Sequence, residues 1–228
     1  PQGFSVIGRA ETADFLREQP VSLIWGVGQA TRAALHDAGI RSFADLLRWE
    51  RSDLVARFGS MGDRLWHLAR GQDRRRVTAN APVKSISNET TFGEDIADPD
   101  LLDGHLWRLS EKVADRAKAR ALAGRVVTLK LKHSDHRITT RRHALREPTQ
   151  LADTLYRAAR GLMDHVTAGA AWRLVGVGLS DLVAAAEADR AGDLLDPAAP
   201  RRAKAERATD AIRARFGPDA IVKGRSLR

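Results

Sequence analysis

Residues 125–133 alternate along the chain, with Val127, Leu129 and Leu131 on one side and Thr128, Lys130 and Lys132 on the other. Successive side chains of a strand point to opposite faces, so this pattern predicts a strand buried on one side only. Ser134-Asp135 supplies a turn, and residues 137–145 return as a second strand. Helical patterns flank the hairpin. Asp98-Pro99 opens a helix to about residue 121, with Leu101, Leu102, Leu106, Leu109, Val113 and Ala117 on one face. Pro148-Thr149 leads into a second, over about residues 150–166. Strand-like runs at 83–92 and 172–182 enclose the set. The order is β-α-β-β-α-β, the ferredoxin-like split arrangement. It predicts a four-stranded antiparallel sheet with both helices on one face.

Charge follows that division. Residues 125–146 hold seven Lys/Arg and one Asp, whereas residues 94–121 hold five Lys/Arg and seven Asp/Glu. An ordinary half-exposed strand mixes its polar residues. A bias of seven to one instead predicts a basic open face that meets phosphate. The whole chain carries a net charge of +9. Lys/Arg exceed Asp/Glu in every segment after the first: 10 against 6 in residues 20–76, 16 against 13 in 77–183, and 10 against 7 in 184–228. A chain this basic points to a polyanionic partner, nucleic acid first.

Residues 20–76 read as short helices, which makes the overall class α+β. Pro20 suits a first helical position. Ser42 and Ser52 are placed to cap helices over 43–49 and 53–58. Gly59 would end the second of these, and Gly62 would open a hairpin before a helix over 63–69. The most specific stretch is Leu23-Ile24-Trp25-Gly26-Val27-Gly28, followed by a helix-forming run to Ala38. Two glycines there admit unusual backbone and leave no side chain in the way, so the N–H groups opening the next helix can face an anion. This is a helix-hairpin-helix. The turn at 58–62, with Ser60 and Gly62, is a second candidate of the same kind. Each also reads as a plain turn between packed helices. Residues 72–82 are polar and basic and end in proline, as a linker does. There Arg74, Arg75 and Arg76 form either a solvated run or a phosphate contact. Residues 184–228 are rich in Ala, Arg and Pro. The helix expected near 203–216 has a thin apolar face, which predicts weak packing or mobility.

Other features exclude classes. There is no cysteine, so neither a disulfide framework nor cysteine-ligated zinc is available, which fits a reducing compartment. No stretch approaches the ~20 apolar residues of a membrane span, and no signal peptide is recognisable. The opening Phe4-Ser5-Val6-Ile7 reads as a strand from something larger. Asp98, Asp100 and Asp103 suit a helix N-terminus, and Glu94-Asp95 a solvated strand end. His133-x-Asp135-His136 sits at a hairpin tip and is not expected to hold a metal.

Ile24-Trp25-Gly26-Val27-Gly28, Leu65-Trp66 with Ala69-Arg70-Gly71, and Lys84-Ser85-Ile86-Ser87 with Glu89-Thr90-Thr91-Phe92 resemble Y-family translesion DNA polymerases of the bacterial polymerase IV type. So do the run from Gly124 to Lys132, Thr140-Arg141, and the run from Arg173 to Ser180, all in family order. The resemblance implies that residues 1–19 end the palm, 20–76 are the thumb, 77–82 a linker, 83–183 the little finger and 184–228 a tail. It implies a primer–template DNA duplex as partner, a monomer, and a bacterial cytoplasmic location. The DNA-binding residues it implies are Gly26, Val27, Gly28, Ser60, Gly62, Lys84, Ser85, Ser87, Thr128, Lys130, Lys132, Thr140, Arg141 and Arg173. In the whole enzyme it implies template-directed nucleotidyl transfer past lesions, with Mg²⁺ held by palm carboxylates. Those acids would lie upstream of Pro1. The chain is therefore expected to carry no catalytic residue, to bind no cofactor itself and to be inactive alone. Asp193, Leu194 and Leu195 are the nearest match to the family's sliding-clamp peptide, without its Gln or aromatic. Two other readings stand beside this one. The first is a DNA-binding scaffold subunit derived from a catalytically inactive relative. The second is an RNA-recognition module, which needs stacking aromatics on its central strands; residues 125–133 and 137–145 have none.

Overall fold

The computed structural model describes all residues except 1, 2, 5, 74, 79, 80, 165–169, 189–197 and 228. The chain forms two compact units, Pro1–Asn80 and Ala81–Arg228.

The first unit is helical: α1 Thr12–Arg17, a 3₁₀ turn Val21–Leu23, α2 Gln29–Asp37, α3 Phe43–Leu47, α4 Arg51–Phe58 and α5 Ser60–Ala69. Leu35, Ile40, Leu46, Leu54 and Leu65 are fully buried at its centre. Ser42 starts α3 with a reciprocal capping box: its hydroxyl accepts from the Asp45 N–H, and the Asp45 carboxylate accepts from the Ser42 N–H at 2.9 Å. Bonds from the Arg41 and Ser42 N–H groups hold the Asp45 carboxyl below the usual range. Ser52 does not cap α4. Its hydroxyl turns to Asp53, and Glu50 takes the N-cap position without a side-chain bond. Nor do Phe4, Val6 and Ile7 belong to a strand. Phe4 and Val6 stand exposed and join no ladder, and a strand without a neighbour leaves its backbone groups unpaired.

The second unit runs β1 Ser85–Ile96, α6 Pro99–Ala119, β2 Leu122–His133, β3 Ile138–Thr149, α7 Ala152–Asp164, β4 Trp172–Ala184 and α8 Ala199–Phe216. The sheet order is β1-β4-β2-β3 and every pairing is antiparallel. β4 therefore splits the parallel pair β1 and β2, and β2 splits β3 and β4. Leu106, Val113 and Leu155 from α6 and α7 pack onto Val127, Leu129 and Val177 of the central strands. Asp98 caps α6, accepting from the Asp100 N–H at 2.8 Å. Asp103 is not a solvated dipole partner. It is 7% exposed and receives the Tyr156 hydroxyl at 2.6 Å, with Arg160 Nε at 3.1 Å and Arg225 Nε at 3.2 Å.

Burial, then the bond to Asp103, pushes the Tyr156 hydroxyl up to about 12. A pKa raised by folding stabilises fully below the unfolded value near 10, and that contribution fades as pH rises through the folded value. Tyr156 is the chain's only tyrosine, so tyrosinate absorbance reports it alone. Its midpoint in the folded protein is expected near 12; a midpoint near 10 would break this assignment.

The tail departs most from expectation. α8 is docked, and the reason is ionic. Glu206, 5% exposed, accepts from Lys118 Nζ at 2.7 Å and from the N–H groups of Ala152 and Asp153 at 2.8 and 3.1 Å. Asp210 takes Lys118 from the other side at 2.7 Å, Arg202 meets Asp153 and Arg213 meets Glu111. Burial alone would lower the Lys118 pKa, but the two carboxylates reverse that and raise it. Apolar periodicity is blind to such a seam.

Candidate nucleic-acid interface

Gly26 has φ +99°, a left-handed conformation that side chains resist. This turns the chain so that Ile24 and Val27 point into the core while Trp25 stands outside. Gly28 is different. Its backbone is ordinary and extended (φ −78°, ψ −176°), but nothing lies within 4 Å of where a Cβ would stand. Gly28 thus keeps the approach to the first turn of α2 open, and that turn holds no acidic residue. Arg64 of α5 braces the hairpin, donating from Nη2 to the Trp25 carbonyl at 2.6 Å.

At the second turn, Gly59 (φ +60°) joins α4 directly to α5. Ser60 is the first residue of α5 and is exposed. Gly62 is not surface-facing: it is buried within α5, where a Cβ would run into the Leu54 carbonyl. Its role is to let α4 and α5 approach.

On the sheet, the helix-free face follows from the register. One row runs Ser87, Gly178, Thr128, Arg142; the next Glu89, Gly176, Lys130, Thr140; the next Thr91, Leu174, Lys132, Ile138. Gly176 and Gly178 make a bare floor on β4 between the side chains of β1 and β2. Across that floor Lys130 Nζ reaches Glu89 Oε2 at 2.8 Å, so this cation of the open face has a carboxylate partner. A Cβ on Gly176 would stand 2.9 Å from that of Glu89. Arg141 pairs with Leu129 and therefore lies on the helix side of edge strand β3; Arg142 shares the open face instead. The pairing numbers could have found Arg142, because Lys132 opposite Ile138 puts Thr128 opposite residue 142. Ser85 and Ser87 are exposed on β1, and Lys84 is exposed just before it. Arg173 falls where the β2–β4 register shifts, with Nη1 3.6 Å from Asp95 Oδ1. The open face thus gathers Lys130, Lys132 and Arg142 against one carboxylate, Glu89.

Asp193, Leu194 and Leu195 lie outside the described residues. Among the described residues no three His, Asp or Glu side chains converge in a way that could hold a metal, and no helix is long and apolar enough to cross a membrane. Asp135 accepts instead from the Arg137 backbone N–H at 3.0 Å and from its Nε at 2.6 Å, while the His133 ring lies 4.2 Å from that of Trp172.

Residues 83–194 match the impB/mucB/samB family C-terminal domain. The chain is 48% identical to DNA polymerase IV 1 of Mesorhizobium japonicum, over 98% of its own length and 51% of that relative's. It is 45% identical to DNA polymerase IV of Caulobacter vibrioides, over 100% of its length and 56% of the relative's. The chain thus spans about half the length of the curated relatives it matches. Both matches take in α8, which lies beyond the family domain. Among solved structures, a Y-family DNA polymerase chimera superimposes with a TM-score of 0.54 at 21% identity, over 81% of this chain and 53% of the other. That likeness shows the fold.

Proposed function

Because the chain belongs to the Y-family DNA polymerases of the bacterial polymerase IV type, as their C-terminal portion, we propose that it grips the primer–template duplex for an enzyme whose chemistry lies elsewhere. In this reading the first unit is the thumb and the second the little finger. The observation that carries it is the helix-free sheet face, which gathers Lys130, Lys132 and Arg142 beside the bare backbone of Gly176 and Gly178. The opened approach to α2 behind Gly26-Val27-Gly28 supports it, because helix N-termini favour phosphate. Such contacts carry no base information, so binding is indifferent to sequence. The whole enzyme would perform templated nucleotidyl transfer past damaged bases, with Mg²⁺ held by carboxylates outside this chain.

Two unrelated primer–template duplexes, titrated in the same buffer, are expected to bind within about threefold of each other, less than the effect of a single good base contact. Strong preference for one sequence would overturn the proposal. Given Mg²⁺ and nucleotides, the purified chain is expected to bind the duplex and extend nothing.

The two hairpin glycines should separate. Gly28→Val places a side chain in open space on permitted backbone, so the melting curve should stay put. Affinity should fall roughly tenfold as the phosphate approach is blocked, close to the upper value of a helix-terminus contact. Gly26→Val should instead lower stability by roughly 1–2 kcal/mol through its left-handed backbone. Equal melting curves for the two variants would contradict this division.

A further inference from the structure

Trp25 is 76% exposed, whereas Trp107 and Trp172 are 1% and 0% exposed and Trp49 and Trp66 are half-buried. An indole is seldom left in water to that extent. Its main chain is braced: Gly26 takes the left-handed turn beside it and Arg64 holds its carbonyl at 2.6 Å. The Arg64 guanidinium carbon lies 5.1 Å from the ring centroid, and that of Arg75 lies 5.7 Å away. Arg75 is itself fixed by Asp73, at 2.8 Å from Nε to Oδ1. An exposed apolar ring flanked by two positive groups fits a ligand that alternates negative charge with apolar surface. A nucleic-acid strand does this at every nucleotide. In an intact duplex the bases are stacked inside, so the apolar surface beside a phosphate is the deoxyribose.

We propose that Trp25 is a DNA-contacting residue, packing its indole against the deoxyribose next to a phosphate that Arg64 and Arg75 attract. The proposal rests on the duplex-binding reading above and adds a contact that phosphate binding alone does not need. The ring carries no charge, so its contribution should be insensitive to salt.

The test uses the whole 228-residue chain and a primer–template duplex. Trp25 dominates the solvent-exposed emission, and DNA is expected to quench it, shift it to the blue and protect it from acrylamide. Trp25→Ala should weaken binding about tenfold, the scale of burying part of a large apolar side chain, with the slope of log K against log salt unchanged. Trp25→Phe should recover part of the loss. Because the ring is exposed, both variants should melt as the wild type does. If the wild type binds no duplex, the duplex-binding reading itself fails. If the wild type binds with a normal salt slope but its exposed emission does not respond and Trp25→Ala binds equally well, only this inference fails. A changed salt slope in Trp25→Ala would also overturn it, since the effect would then belong to the arginines.

Discussion

Replacing Glu206 by alanine is expected to undock α8 and destabilise the C-terminal unit by about 3–5 kcal/mol, the usual cost of removing one member of a buried charged pair. The loss has two parts. Lys118 is left with Asp210 as its remaining partner, and the N–H groups of Ala152 and Asp153 lose their acceptor at the start of α7. Lys223, in the segment that follows α8, places its Nζ 4.2 Å from the centre of the Trp107 ring. Undocking should therefore red-shift Trp107 emission before the sheet melts. Limited proteolysis should cut within 198–216 in the variant and spare the wild type. Glu206→Gln keeps an acceptor but not the charge, and should fall between the two. A Glu206→Ala protein with wild-type denaturant midpoint and wild-type cleavage would refute the role given to this residue.

Reversing charge on the open sheet face is the second large effect. Lys132→Glu with Arg142→Glu removes two cations from the face and adds two anions. Duplex affinity is expected to fall by roughly 100-fold at moderate salt, and the salt slope to flatten by about 2, near 0.9 per phosphate contact. The fold should survive, because neither side chain enters the core and surface ion pairs contribute little. Glu89→Gln should act in the opposite sense. It frees Lys130 from its 2.8 Å bond, so affinity should rise several-fold at low salt. Unchanged affinity in both variants would remove the sheet face from the interface.

Much of the C-terminal unit was legible in the sequence because its strands are buried on one side. The period of two in Val127, Leu129 and Leu131 and the long apolar stripe of α6 each have one packing solution. The class of fold followed from their order. Side-chain identity alone could not say which neighbour a polar residue meets. Lys130 reads as an available cation until the sheet order puts Glu89 across a glycine from it. Thr140 and Arg141 both read as DNA-facing until the hairpin register puts Arg141, though exposed, on the opposite face of the sheet from Thr140. Gly62 resembles a turn glycine, but its neighbour Leu54 explains it, and that contact exists only once α4 and α5 are packed. The tail was hardest to read, because α8 is held by carboxylates and cations rather than an apolar stripe. Nothing in the motif marks Trp25 out from its neighbours, since its exposure is a tertiary fact.

The binding of this chain to duplex DNA as a function of salt tests the central claim most directly. Between 50 and 200 mM salt, log K should fall linearly with log salt at a slope of roughly −4 to −5, the value for four to six neutralised phosphates. The slope should be the same for two unrelated duplex sequences. A flat response to salt, or no binding to duplex at the lowest salt, would contradict it.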